Sequence, residues 1–163
     1  MQKGHFSPDI EELLLTLHRH QVRFLIVGGE AVIFYGHPRL TGDLDIYFER
    51  SEENTQRLYQ ALVEFWGGSI PGLSDESELR GIGIVVQFGV PPNRVDLMNE
   101  IDGVSFSEAW QGRTIDSAVL GGERVPLSFI GIRELLKNKQ AMGRHKDLDD
   151  LRYLREAEKQ EES

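Results

Sequence analysis

The sequence predicts an α/β (α+β) fold, because helical and strand patterns alternate along its 163 residues. The continuous apolar run Phe24–Val27 is typical of a strand buried on both faces. The stretch Asp43–Phe48 alternates carboxylate and apolar side chains, which is the period of a strand with one face in a core. Leu58, Leu62 and Phe65 recur at helical spacing. Together these three patterns indicate a sheet with helices packed against it.

The first half of the chain carries clear start and stop signals for its helices. A capping hydroxyl, a proline and an acid at Ser7–Asp9 predict a helix start. Gly28-Gly29 follows the first strand, and a short apolar helical segment runs from Glu30 to Tyr35. Ser51 is the predicted N-cap of the next helix, and Gly67-Gly68 is its predicted end.

The middle of the chain carries two hairpin patterns. Ile82–Phe88 and Arg94–Met98 have strand character and flank a proline-containing turn. Thr114–Val119 and Arg124–Leu127 flank a glycine turn in the same way. Phe106–Trp110 is a candidate short helix between the two hairpins.

The C-terminal part of the sequence predicts two further helices. Ser128 is the predicted N-cap of the first, which ends at Gly143. Asp147 can cap the second helix. We expect the last residues, with the sequence EAEKQEES, to fray as chain termini commonly do.

Composition limits the classes of function. The sequence contains no cysteine, which excludes a disulfide framework and a thiolate metal site. A net charge of −9 argues against broad binding of duplex DNA, which depends on many basic contacts to phosphates, but it does not exclude a nucleotide. No apolar run approaches membrane-spanning length, and the N-terminus lacks the apolar core of a signal peptide. We therefore expect a cytoplasmic protein without a membrane partner.

Three aspartates are candidate metal ligands. Asp43 and Asp45 lie two residues apart on a strand, so they point to the same face with Cα atoms roughly 6.5–7 Å apart. Such a pair repels itself unless a cation relieves the charge, and a divalent cation with oxygen ligands suits it. Asp96 alternates with apolar neighbours and can supply a third carboxylate if its strand lies beside the first. The alternatives are a solvated strand face for the pair and an edge-strand acid for Asp96.

The tandem glycines are candidates for phosphate binding. Gly28-Gly29 lies between a strand and a helix, where backbone N–H groups can approach a phosphate; a tight turn is the alternative. Glu30 follows directly, so its carboxylate either helps to bind metal or faces away. Three carboxylates and a phosphate cradle are the parts that two-metal nucleotidyl transfer requires.

The order of these motifs resembles a known superfamily. An apolar strand, Gly-Gly and an Asp-x-Asp between apolar residues are similar to the DNA polymerase beta-type nucleotidyltransferases. The string from Gly36 to Asp45, GHPRLTGDLD, fits GxxRxTxDxD, which resembles the AbiEii-type toxin nucleotidyltransferases and their small relatives. The stretch Leu135–Leu151 adds a helix with a lysine, a glycine turn and Arg-x-Lys-Asp. The resemblance covers about Phe24 to Leu154.

The resemblance implies a fold and a reaction. The fold is a nucleotidyltransferase-type small mixed sheet flanked by helices, with residues 1–127 as the core and residues 128–163 as a short helical cap packed on it in one compact domain. The reaction is Mg²⁺-dependent transfer of NMP from an NTP to an acceptor hydroxyl. A two-metal site is expected, with Mn²⁺ as the alternative cation. The chain would then be a candidate toxin of a toxin–antitoxin pair.

The resemblance also assigns roles to residues. The catalytic residues it implies are Asp43, Asp45, Asp96 and Lys139, and the same three aspartates are the metal ligands. The nucleotide-binding residues it implies are Gly28, Gly29, Arg39, Thr41, Arg144 and Asp147. Asp147 would brace Lys139 or the cap, although an N-cap role is the simpler explanation. Lys139 and Arg144 could also simply suit a helix C-terminus.

The acceptor and the activity stay open at this point. The expected partners are an NTP, an acceptor that is RNA, protein or a small molecule, and an antitoxin protein. One alternative is a non-catalytic nucleotide-binding or partner-binding relative with the same fold. Another is a glycosyltransferase that uses the Asp-x-Asp motif, although the tandem glycines have no role there.

Overall fold

The computed structural model describes residues 4–37 and 41–162, and the elements below lie within these ranges. The helices are α1 Pro8–Arg19, α2 Gly28–Phe34, α3 Glu52–Trp66, α4 Phe106–Gln111, α5 Ile132–Met142 and α6 His145–Glu162. The strands are β1 Phe24–Val27, β2 Asp43–Phe48, β3 Val85–Phe88, β4 Arg94–Met98, β5 Thr114–Leu120 and β6 Glu123–Phe129. A 3₁₀ helix, Glu76–Arg80, precedes β3.

The strands form one mixed sheet in the order β3-β4-β2-β1-β6-β5. The β2–β4 and β1–β6 pairs are parallel, and the other pairs are antiparallel. Both predicted hairpins are present, as β3–β4 and β5–β6. The predicted α/β class, with a mixed sheet flanked by helices, is therefore confirmed.

Strand β1 lies at the centre of the molecule and is buried on both faces, as its apolar run predicts. Ile26 packs in one core with apolar residues of α1 and α3. Leu25 and Val27 pack in a second core, on the opposite face, with residues of α4, α5 and α6. Helices therefore cover both faces of the sheet, and the C-terminal pair lies on the face opposite α1 and α3.

Several predicted helix ends are confirmed. The Ser7 hydroxyl accepts a hydrogen bond from the backbone N–H of Ile10, and Ser51 caps α3 in the same way. Gly67 ends α3 and Gly143 ends α5, each in the left-handed conformation that glycine adopts without steric cost.

Ser128 is not an N-cap, so this prediction is wrong. It belongs to β6, which extends to Phe129 and pairs with β1. The N–H of Ile130 still donates to the carbonyl of Ile26 at 3.0 Å, and α5 begins after Gly131. Pairing with a strand distant in sequence holds this segment extended, and local capping signals do not report such pairing.

Asp147 is not the N-cap of the last helix either. Helix α6 begins at His145, so Asp147 lies in its first turn. Its carboxylate accepts from the backbone N–H of Arg144 at 3.2 Å, which is the reach-back that an acid at the third helical position makes. The helix also continues through Glu162, where we expected fraying, and Arg133 of α5 pairs with Glu162 at 3.1 Å.

Two element starts differ from the prediction. Helix α2 begins at Gly28, so the tandem glycines form its first turn instead of a loop before it. Strand β3 begins at Val85, and Ile82 is 81% exposed outside it. The division of the chain at residue 127 stays a prediction, and β6 runs across that position. Among the described residues, no helix has both the length and the apolarity needed to cross a membrane.

Candidate active site

The structure brings the three predicted carboxylates together. The alternation of β2 places Asp43 and Asp45 on the sheet face that α5 and α6 cover, because Tyr47, two residues further, is buried in that core. The parallel pairing of β4 with β2 then places Asp96 opposite Asp45. One carboxylate oxygen from each aspartate lies within 4.8 Å of the others. This cluster has the hard oxygen donors that divalent cations prefer.

The pKa of Asp45 reflects its burial and the negative charge around it. Burial raises its pKa, and the nearby carboxylates of Asp43 and Asp96 raise it further, to about 7. Lys139 and Arg94 act in the opposite direction and offset part of the effect. Burial and the neighbouring carboxylates thus disfavour the ionised form of Asp45 more than the neighbouring cations favour it.

Gly28 lies against the Asp45 side chain, where a larger residue would not fit. Its φ of +64° lies in the left-handed region, and a Cβ at this position would clash with the Asp45 carboxylate. Gly29 follows it, buried in the first turn of α2. The tandem glycines thus allow the start of α2 to approach the carboxylate cluster closely.

Thr41 lies at the entrance to β2. Its hydroxyl donates to the carbonyl oxygen of Asp43 at 3.1 Å and to the Asp43 carboxylate at 3.3 Å. Thr41 therefore orients the first aspartate of the motif. Arg39, the other predicted nucleotide-binding residue of this segment, lies outside the described residues.

Lys139 is a buried cation on α5, with 2% of the residue exposed. Its ammonium group donates to Asp147 at 3.0 Å and lies 3.3 Å from a carboxylate oxygen of Asp150. Arg144 also donates to Asp147, through Nε at 2.6 Å. Burial alone would raise the pKa of Asp147, but the hydrogen bonds from Arg144 and Lys139 outweigh burial and hold it below its usual range. Asp147 therefore contacts both Lys139 and Arg144 and holds them in place, and contact with Lys139 is what its predicted bracing role requires.

Asp150 and Arg94 belong to this site, and sequence reasoning missed both. Asp150 is buried and lies 3.5 Å from His37 as well as close to Lys139. Arg94 donates to both carboxylate oxygens of Asp96, each at 3.2 Å. Spacing could have found them: Asp150 lies one helical turn beyond Asp147, and Arg94 lies two residues before Asp96 on one strand face.

These residues surround a cleft of about 500 Å³. The predicted residues that line it are Gly28, Gly29, Thr41, Asp43, Asp45, Asp96, Lys139 and Arg144. Four further charged residues line it as well, namely Arg94, Glu100, Asp102 and Lys146. Acidic and basic side chains thus face one space large enough for a nucleotide.

Glu30 faces away from this cleft. It pairs with His5 at 2.7 Å and lines a neighbouring cleft of about 350 Å³. Of the two positions that its sequence context allowed, the structure favours the one away from the metal site.

Comparison with known proteins identifies the fold. No protein-family model and no curated protein sequence matches the chain. Among solved structures, an antigenic nucleotidyltransferase-like protein from Paracoccidioides brasiliensis is similar, with a TM-score of 0.52 and 18% sequence identity. The match covers 93% of this chain and 77% of that chain. The chain therefore has a nucleotidyltransferase-like fold, as the sequence resemblance implies.

Proposed function

We propose that this chain is a nucleotidyltransferase that moves NMP from an NTP to an acceptor hydroxyl and releases pyrophosphate. The observation that carries the proposal is the cluster of Asp43, Asp45 and Asp96, whose carboxylate oxygens lie within 4.8 Å of one another in a cleft that also holds cationic side chains. The shared fold supports the same class of reaction. Carboxylates and cations in one cleft suit a substrate that combines a polyphosphate with a metal ion.

The residues present fit a divalent cation. Three carboxylates supply hard oxygen donors, and a bound cation would offset the burial and the neighbouring negative charge that raise the pKa of Asp45. We propose Mg²⁺ in a two-metal site, with Mn²⁺ as the alternative. Such ions, when bound, neutralise phosphate charge and favour ionisation of the attacking hydroxyl.

Protein groups around the cluster would bind the nucleotide. Lys139 and Arg144 would neutralise phosphate oxygens, while Asp147 holds both cations in place. Gly28 and Gly29 would let the phosphates approach the backbone at the start of α2. Thr41 would keep Asp43 oriented, and the sequence resemblance supports a nucleotide-binding role for Arg39.

Asp96 is the proposed base for the acceptor. It would accept the proton of the acceptor hydroxyl as that oxygen forms a bond to the α-phosphorus. The bond from the α-phosphorus to the bridging oxygen of pyrophosphate breaks in the same step, and pyrophosphate carries that electron pair away. Asp43 and Asp45 would remain ionised as cation ligands throughout.

Incubation with labelled nucleotide tests this function. Each α-labelled NTP is combined with the protein, Mg²⁺ and, separately, total RNA, cell protein or a small-molecule extract. We expect label to move to one class of acceptor and pyrophosphate to appear. Asp45→Asn should abolish the transfer, whereas Asp9→Asn, which changes an exposed acid on α1, should not affect it. Transfer that survives Asp45→Asn contradicts the site.

One contact favours a second candidate function. Both oxygens of Asp96 accept a hydrogen bond from Arg94, which makes Asp96 a weaker base, and this arrangement also suits a nucleotide-binding protein without turnover. That candidate predicts that an NTP raises the melting temperature while no acceptor becomes labelled.

We also propose that the chain is the toxin of a toxin–antitoxin pair of the AbiEii type. The proposal rests on the string from Gly36 to Asp45. Expression of the chain alone should slow growth, and expression with the product of the adjacent gene should restore it. Growth that is unaffected by the wild-type chain, at a level where the protein is detected, contradicts this role.

A further inference from the structure

Arg94 holds the third aspartate of the cluster with a two-point contact. Its Nε donates to one oxygen of Asp96 and its terminal nitrogen donates to the other, both at 3.2 Å. The Asp96 side chain is 9% exposed, so few water molecules can compete for these oxygens. Paired hydrogen bonds between guanidinium and carboxylate are strong and directional. In the free protein, Asp96 is therefore committed to Arg94.

Strand pairing places the cationic residue Arg94 directly beside the carboxylate cluster. It lies opposite Asp43 in the parallel β2–β4 pair, and its side chain lines the cleft. The hydrogen bonds and charge of Asp96, followed by the charges of Asp43 and Asp45, raise the pKa of Arg94 above its ordinary value. The guanidinium thus stays charged and supplies part of the neutralisation that a metal ion would otherwise provide.

In this arrangement Arg94 and a divalent cation would compete for the carboxylate of Asp96. While both oxygens of Asp96 accept hydrogen bonds from Arg94, one lone pair on each is used and the guanidinium charge reduces the attraction of Asp96 for a metal ion. About a third of the Arg94 side chain is exposed, so the guanidinium can turn towards the cleft without leaving a protein core. A triphosphate in that cleft offers the same paired acceptor geometry as a carboxylate.

We propose that Arg94 is a positioning residue that couples nucleotide binding to divalent-cation binding. In the free protein it holds Asp96 and weakens cation binding, and a nucleotide triphosphate draws it away so that Asp96 binds the cation more tightly. This inference rests on the proposed function, because it assumes that the cleft binds an NTP and a metal ion. Linkage then requires that the cation strengthens nucleotide binding by the same factor.

Calorimetric titration with Mn²⁺ tests the coupling. The titration is made with and without an NTP analogue that cannot be cleaved between the α- and β-phosphates, and Mn²⁺ binding by the free analogue is subtracted. We expect Arg94→Met to bind Mn²⁺ alone more tightly than the wild type. We also expect the analogue to strengthen Mn²⁺ binding less in this variant, by a factor on the order of five or more.

Two further variants separate this contact from simple charge. Lys146→Met removes another cation that lines the cleft and should leave the coupling close to that of the wild type. Arg94→Lys keeps the charge but loses the paired geometry, so its coupling should fall between those of the wild type and Arg94→Met. If Arg94→Met fails to fold, as judged by circular dichroism in chelator, the lysine variant supplies the measurement.

The outcomes distinguish this inference from the proposed function. Equal coupling in wild type and Arg94→Met, or weaker binding of Mn²⁺ alone by the variant, overturns the role of Arg94 and leaves nucleotidyl transfer standing. An equal effect from Lys146→Met also overturns it, because the effect would then come from charge alone. A wild-type chain that binds neither Mn²⁺ nor the analogue contradicts both proposals.

Discussion

Asp45 is a partly buried carboxylate of the site with a strongly raised pKa. It lies between Val27 of β1 and Asp96 of β4 in the sheet, with Asp43 two residues away on its own strand. Burial and these two carboxylates raise its pKa to about 7. Near neutral pH the metal-free protein therefore holds a large fraction of Asp45 protonated, and proton release is linked to stability.

The stability of the metal-free protein should depend on pH through the protonation of Asp45. The pKa of Asp45 is higher in the folded chain than its value of 3.8 in an unfolded one, so the folded state binds more protons between those values. The free energy of unfolding should therefore fall as pH rises from 4 to 7, with an added slope of at most about 1.4 kcal/mol per pH unit. Urea unfolding in chelator at several pH values measures it.

Asp45→Asn is the control for that slope, because it removes the titrating group and keeps the shape of the side chain. The variant should lose the added slope and become more stable than the wild type above pH 7. Identical slopes in the two proteins would show that Asp45 does not titrate in this range.

Gly28 should tolerate substitution less well than a glycine with the same backbone conformation elsewhere. Gly28→Ala should cost about 1–2 kcal/mol for the left-handed φ, and more because the new methyl group meets the Asp45 carboxylate. Gly67 has a φ of +69° with open space around it, so Gly67→Ala should show the backbone cost alone. Chemical unfolding of both variants measures the difference, and equal losses would contradict the contact.

At the scale of elements, the corner between α5 and α6 holds two cations of the site, Lys139 and Arg144. Lys139 on α5 is anchored by Asp147 and Asp150, which lie one turn apart on α6. All three residues are buried, so their charges depend on one another for solvation. The packing of the two helices and the position of Lys139 are therefore set by the same contacts.

Lys139→Met should be strongly destabilising, by about 3–5 kcal/mol, since it removes the buried cation that Asp147 and Asp150 share. Lys137→Met on the same helix is the matched control. Its ion pair with Glu108, at 2.8 Å, is largely exposed, and its loss should cost about 0–1 kcal/mol. Urea unfolding of the two variants gives the comparison. A similarly small cost for both variants would show that Lys139 and its two carboxylate partners are well solvated.

At the scale of the whole molecule, charge limits the macromolecular partners. The net charge of −9 opposes the approach of a duplex, and the cleft that holds four cationic side chains is lined by acidic side chains as well. We expect no binding of a labelled random-sequence duplex DNA at about 150 mM salt, measured by fluorescence anisotropy. A polybasic peptide fused to the chain provides the positive control. Micromolar duplex binding by the unfused protein would contradict this prediction.

Local sequence patterns determined the elements and the chemistry of this protein. Apolar periodicity identified β1, β2 and α3, and the spacing of Asp43 and Asp45 placed two carboxylates on one face, because these features depend on neighbouring residues alone. Hydroxyl caps and glycine ends also depend on neighbouring residues alone. The structure has the predicted caps at Ser7 and Ser51 and the predicted helix end at Gly143.

Tertiary structure decided which distant residues meet. Parallel pairing of β4 with β2 brings Asp96 beside Asp45, and pairing of β6 with β1 makes Ser128 part of a strand instead of a helix cap. Spacing could have named Arg94 and Asp150 as candidates, but their contacts with Asp96 and Lys139 depend on burial and on side-chain geometry. Strand order and helix docking are long-range choices, so a pattern read along the chain leaves them undetermined.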